Sequence, residues 1–170
     1  MSGNSHTIQT GWDDLLGKAV EWNDLEGVRD LLKRDSQPVF RQNSLDETPL
    51  HAAVKWGYGA VAELLIAHGA DVNARTVSGE APLHYAAEDG NEEIASLLLA
   101  SGADLQAKNN AGQTALHWAA QNGHTGMATL LLAHGADVNA RDHLDQTPTH
   151  LCARWEPELS SVLQQYGGRD

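Results

Sequence analysis

This chain of 170 residues is poor in several things at once. It has one cysteine, Cys152, so no internal disulfide can form, and the polar stretch before Trp12 lacks the basic run and apolar core of a secretory leader. Together these place the protein inside the cell, in the cytoplasm. Aromatic residues make up 5% of the chain, with a single phenylalanine. Basic residues are scarce, 11 against 23 acidic ones for a formal charge of −12, so a phosphate backbone would be repelled and nucleic acid is a poor partner. No apolar run approaches the roughly 20 residues that a membrane-crossing helix needs. No phosphate-cradling GxxxxGK[ST] and no dinucleotide fingerprint occurs. The chain is long enough to bury a core but not to make two ordinary domains.

What it does contain is a repeat. Thr48-Pro49-Leu50-His51, Ala81-Pro82-Leu83-His84, Thr114-Ala115-Leu116-His117 and Thr147-Pro148-Thr149-His150 begin 33 residues apart each time. A second marker keeps step: His68-Gly69-Ala70-Asp71-Val72-Asn73-Ala74, Ser101-Gly102-Ala103-Asp104-Leu105-Gln106-Ala107 and His134-Gly135-Ala136-Asp137-Val138-Asn139-Ala140. Between the markers each unit reads as helix, short turn, helix and extended loop. Thr48 and Thr147 suit an N-cap with Pro at the first helical position, Gly57, Gly90 and Gly123 end the first helix, and the second repeats apolar residues at helical spacing, as in Val61, Leu64 and Leu65. Ala53, Ala86 and Ala119 keep the first helices thin, so that the units stack as wedges into a curved array.

These segments resemble the ankyrin-repeat family, whose TPLHxA and GADVNA signatures they match nearly letter for letter from about residue 13 to 167. The resemblance implies an all-α solenoid of helix-turn-helix units with β-hairpin-like loops. It also implies a non-catalytic scaffold that binds another protein on a concave face of loops and first helices. The organisation expected is a disordered segment over residues 1–12, an N-terminal capping repeat over 13–42, full repeats over 43–75, 76–108 and 109–141, and a C-terminal capping repeat with tail over 142–170. Both end units carry polar residues on their outer side, which points to a free-standing array, monomeric in solution.

Chemistry that might be read into the chain has plainer readings. His51, His84, His117 and His150 recur once per unit, but successive units lie about 10 Å apart, too far to share a metal, so their place is in bonds to backbone groups between loops. Cys152 falls where the repeat has a small core residue. No nucleophile, base and orienting partner can be assembled, so no catalytic residue, metal or cofactor is expected.

Sorting by register puts Trp22, Trp56, Asp89, Asn122 and Trp155 in one column, just before the turn that ends each first helix. Tryptophan is the side chain most enriched at binding hot spots, and Trp22 with Trp56 could grip one ligand. The same rings could instead lie over the thin first helices and shield them. Leu45 and Leu144 stand at loop tips, either as anchors for a partner or as turn packing, each followed by Asp46 or Asp145 where the family has glycine. Glu47, Glu80, Glu88 and Asp89 make the middle of the face acidic, with Lys55, Gln121, Asn122, Arg154 and Trp155 completing the candidate surface, while Arg75, Lys108 and Arg141 form a basic ladder before the loops. A partner protein with basic and apolar groups fits such a face; a self-associating assembly module is the alternative, ahead of a small-molecule sensor or an enzyme. The resemblance adds that in some family members the Asn of the VNA segment is hydroxylated, a position that Asn73 and Asn139 match and Gln106 does not.

Overall fold

The computed structural model describes residues 14–35, 37–152 and 157–169. The segment over residues 1–12, together with Arg154 and Trp155, lies outside the described residues. Five helical pairs follow one another: α1 (Leu15–Glu21) with α2 (Leu25–Arg34), α3 (Pro49–Lys55) with α4 (Gly59–Ala67), α5 (Pro82–Asp89) with α6 (Glu92–Ala100), α7 (Ala115–Gln121) with α8 (Thr125–Ala133), and α9 (Pro148–Leu151) with α10 (Pro157–Gln165). No strand occurs among the described residues. First helices stack on first helices and second on second, each pair touching only its neighbours.

Local chemistry sets the helix ends. The Thr48 hydroxyl accepts the His51 N–H as N-cap, and Pro49 occupies the first turn, where an amide hydrogen would have no partner. At the turn ending α1, Asn23 takes the left-handed conformation (φ 53°) that Gly57 takes in the next unit (φ 71°), which a short polar side chain tolerates. A 3-10 turn over Gln37–Phe40, which the repeat pattern does not announce, tucks Val39 into the core.

One apolar layer runs the length of the stack. Ala53, Ala86 and Ala119 are wholly buried between first helices, and Val61, Leu65, Ala95, Leu98, Ala128 and Leu131 between second helices. Each fully buried leucine contributes about 2 kcal/mol of transfer free energy, and the alanines let helix axes approach closely.

The loops fold into fingers by one device. Asn43 Oδ1 accepts the N–H groups of Leu45 and Glu47 at 2.9 and 3.0 Å, Asn109 and Asp142 repeat it, and Thr76 bonds Glu80 N–H in their place. Successive fingers join by single backbone bonds, Val77 N–H to Leu45 O, Asn110 N–H to Ser78 O and His143 N–H to Ala111 O. Asp46 and Asp145, which stand where the family has glycine, take the left-handed conformation at φ 57° and 63°, which a short polar side chain tolerates.

Candidate protein-interaction surface

The histidine column is structural wiring. His51 Nδ1 accepts the Thr48 N–H at 3.1 Å, while Nε2 donates to the Glu80 carbonyl of the next unit at 3.2 Å. His84 reaches Gln113 O at 3.0 Å and His117 reaches Gln146 O at 3.1 Å. Burial holds all three rings below the ordinary histidine pKa, since charge in a dry interior is costly. His150 is exposed.

The basic ladder turns inward as well. Arg75 donates to the Lys108 carbonyl, Lys108 to the Arg141 carbonyl at 2.8 Å, and Arg141 to the Asp145 carbonyl at 2.9 Å with an ion pair to its carboxylate. Arg75 and Lys108 thus stitch loop to loop, and Arg141 braces its own. Asn73 and Asn139 span neighbouring loops too: Asn73 binds Gly102 O and Asp104 N–H, Asn139 binds Gly167 O and Arg169 N–H, and Gln106 does the same to Gly135 and Asp137.

Along the loops and first helices the acidic residues divide into two groups. Glu47 is nearly buried, bonded to Asn43 Nδ2 at 2.7 Å and to Lys55 Nζ at 3.3 Å, and Glu80 accepts from Thr76 Oγ1 at 2.8 Å and the Tyr85 hydroxyl at 3.2 Å. Lys55 also lies 5.5 Å from the centre of the Tyr85 ring, and Tyr85 meets Trp118 edge to face, with the Trp118 indole N–H on Gln113 at 3.1 Å. This network is spent on the protein itself. Glu88 and Asp89, at the end of α5, stand exposed. Partial desolvation first and the Asp89 charge second push the Glu88 carboxyl above its ordinary pKa, against the pull of Lys55.

Trp56 lies beyond them at 59% exposure, and Gln121 and Asn122 are exposed at the same level of the next unit. Leu45 and Leu144 are exposed at their tips, Leu144 most at 79%. Val77 is a further exposed apolar tip, bonded through its backbone to Leu45, and register alone hides it because its counterpart is the polar Ser44. Trp22, 76% exposed, lines a depression between α1 and α2 in which Leu15 and Leu31 are interleaved with the charged Lys18, Asp24, Asp30 and Arg34.

Family models agree with this architecture over most of the chain, one for three ankyrin repeats matching residues 16–109 and one for a single ankyrin repeat matching 111–143. The chain belongs to the ankyrin-repeat family. Ankyrin repeats are generally protein-protein interaction modules, and the fold is a non-catalytic one. Among curated proteins, this ankyrin chain is 35% identical over 78 residues to the 2-5A-dependent ribonuclease of Mus musculus, covering 46% of this chain and 10% of that protein. It is 38% identical over 55 residues to Protein ACCELERATED CELL DEATH 6 of Arabidopsis thaliana (32% of this chain, 8% of that one). It is 41% identical over 58 residues to Delta-latroinsectotoxin-Lt1a of Latrodectus tredecimguttatus (34% and 5%). The likeness spans a tenth or less of each relative, and so concerns the repeats alone. Among the described residues no group of three metal-ligating side chains converges, and no helix is long and apolar enough to cross a membrane.

Proposed function

We propose that this ankyrin array is a non-catalytic intracellular scaffold that captures a partner protein on its concave face. The observation that carries the reading is Trp56, 59% exposed, with the exposed Asp89 at the equivalent position of the next unit and the exposed Glu88 beside it in sequence. An exposed indole adds nothing to the core, whereas at an interface it is among the most effective anchors. A partner side chain combining a cation with an apolar stem, an arginine or a lysine, complements that pairing. Lys55 pairs with Glu47, Glu80 holds Thr76 and Tyr85, Gln121 and Asn122 extend the surface by hydrogen bonding, and Leu45, Val77 and Leu144 offer apolar contacts along the finger tips. Arg154 and Trp155 belong to the same register column, and Asn73 and Asn139 remain proposed modification positions.

Affinity capture from native lysate with mass identification, repeated with Trp56→Ala, tests the reading. Loss of an anchor of this kind weakens binding by about 2 kcal/mol, roughly thirtyfold, enough to remove the captured partner. The melting temperature should stay within a degree or two, because the ring is mostly solvated. Capture that survives the substitution, or a fall in stability that matches the loss of capture, would overturn the proposal.

A further inference from the structure

The first full repeat holds a cation at a place where the next repeat has none. Lys55, the last residue of α3, sets its ammonium 3.3 Å from the Glu47 carboxylate and 5.5 Å from the centre of the Tyr85 ring, which the following unit supplies. Advancing Glu47, Lys55 and Tyr85 by 33 residues gives Glu80, Glu88 and Trp118. The carboxylate and the ring recur, but a second carboxylate stands where the ammonium came from. The two rings are placed alike. Tyr85 meets His51 edge to face at 5.9 Å, and Trp118 meets His84 edge to face at 5.7 Å. Each ring also donates its one polar hydrogen to the residue five positions earlier, Tyr85 to Glu80 and Trp118 to Gln113. One unit further the set becomes Gln113, Gln121 and Leu151, which has neither charge nor ring.

Charge at the second position is uncompensated. Lys55 is taken up by Glu47, and among the described residues neither Glu80 nor Glu88 forms an ion pair. The bonds that Glu80 accepts from Thr76 and Tyr85 both fall on Oε2, which leaves Oε1 to accept another. Glu88 is exposed and Trp118 half-buried, so both can be reached from solvent. Partial burial, then the charge of Asp89, with that of Glu80 adding to it, hold the Glu88 carboxyl above its ordinary pKa against the pull of Lys55. A cation seated there relieves that cost. Two carboxylates select a cation, and an indole face selects a flat, weakly hydrated one. A guanidinium can give its fork of N–H donors to carboxylates while its plane stacks on the ring, whereas an ammonium is a compact, strongly hydrated point charge. We propose that Glu80, Glu88 and the Trp118 ring seat an arginine side chain of a partner protein, in the place that Lys55 fills for the unit before. The proposal rests on the concave-face reading for its partner, but on residues other than Trp56 for its chemistry.

The probe is the tripeptide acetyl-Gly-Arg-Gly-amide, titrated into the isotope-labelled full chain at low salt and neutral pH while the indole N–H resonances are followed by NMR. The Trp118 signal should shift and saturate with a dissociation constant on the order of 1–10 mM, as befits one side chain without the rest of its partner. The citrulline tripeptide keeps the flat head without the charge and should bind about tenfold more weakly or worse. Glu88→Lys supplies an ammonium from the helix position that Lys55 occupies, so it should melt like the parent and leave the tripeptide no seat. Glu88→Gln, which removes only the charge, should weaken binding about tenfold and keeps the test valid if the lysine variant misfolds. Glu63→Gln, exposed on α4, should bind like the parent. Absence of a saturating shift overturns the proposal, as does equal binding of the citrulline tripeptide or binding that both Glu88 variants leave untouched. Magnesium or calcium chloride displacing the tripeptide well below the tripeptide's own constant would also overturn it, by assigning the carboxylates to a metal ion. Capture from lysate tells the two readings apart: a silent tripeptide with capture still dependent on Trp56 sinks the arginine seat alone, and a bound tripeptide with capture indifferent to Trp56 sinks the anchor alone.

Discussion

His84 Nε2 donates to the carbonyl oxygen of Gln113, 29 residues further on, at 3.0 Å, while Nδ1 of the same ring accepts the Ala81 N–H at 3.1 Å. One neutral imidazole thus closes the start of its own helix and ties that helix to the next loop. The arrangement works only with Nδ1 unprotonated, and this couples stability of the stack to pH.

The direction of that coupling follows from burial. His51, His84 and His117 all have their pKa lowered from 6.5, so the folded chain takes up protons less readily than the unfolded chain. Their contribution is complete above pH 6.5 and is lost as pH falls below it, each ring that gains a proton on unfolding adding about 1.4 kcal/mol per pH unit to the slope. Urea midpoints measured from pH 7.5 to 5 should decline steadily below pH 6.5, and His84→Gln should flatten the decline. A midpoint indifferent to pH in that interval would contradict the wiring.

Thr149 stands where the other units have Leu50, Leu83 and Leu116, and its buried hydroxyl oxygen has no hydrogen-bond partner among the described residues. A desolvated, unsatisfied hydroxyl costs free energy that an apolar group of the same shape does not. Thr149→Val should therefore stabilise the chain by about 1 kcal/mol, read as a higher denaturant midpoint at unchanged slope.

Asn139 secures the C-terminal end, with its amide nitrogen on Gly167 O and its carbonyl oxygen on Arg169 N–H, both at 3.0 Å. Asn139→Ala should cost about 1–2 kcal/mol and speed amide hydrogen exchange in α10 (Pro157–Gln165) more than in α4. Equal exchange in both would mean that the clamp is not local.

Much of this protein can be read without a structure. Self-similarity at 33 residues settles unit length, helix positions and family, because each unit must bury the same face against the next and so keeps the same residues in the same places. The histidine bonds to neighbouring loops and the left-handed aspartates at 46 and 145 follow from the same register. Register could not say which charges are spent. Glu47 and Glu80 share one register position and Glu88 falls at that of Lys55, and residue type alone does not separate them, yet Glu47 and Glu80 are bonded within the fold while Glu88 stands exposed. Arg75 and Lys108 hold carbonyls of the next loop and Arg141 one of its own. Nor could it show that Trp22, in one column with Trp56, lines a depression between α1 and α2.

Periodicity along the chain determined what repeats: the helical pair, the turn, the finger and the stacking that joins them. Only the tertiary structure decided how deeply each repeated position is buried, because burial depends on which neighbour packs against it. Leu31 and Leu65 occupy one register position and carry the same side chain; Leu65 is fully buried and Leu31 only half-buried, because a helical pair packs on the first side of α4 and none of the described residues packs on that side of α2.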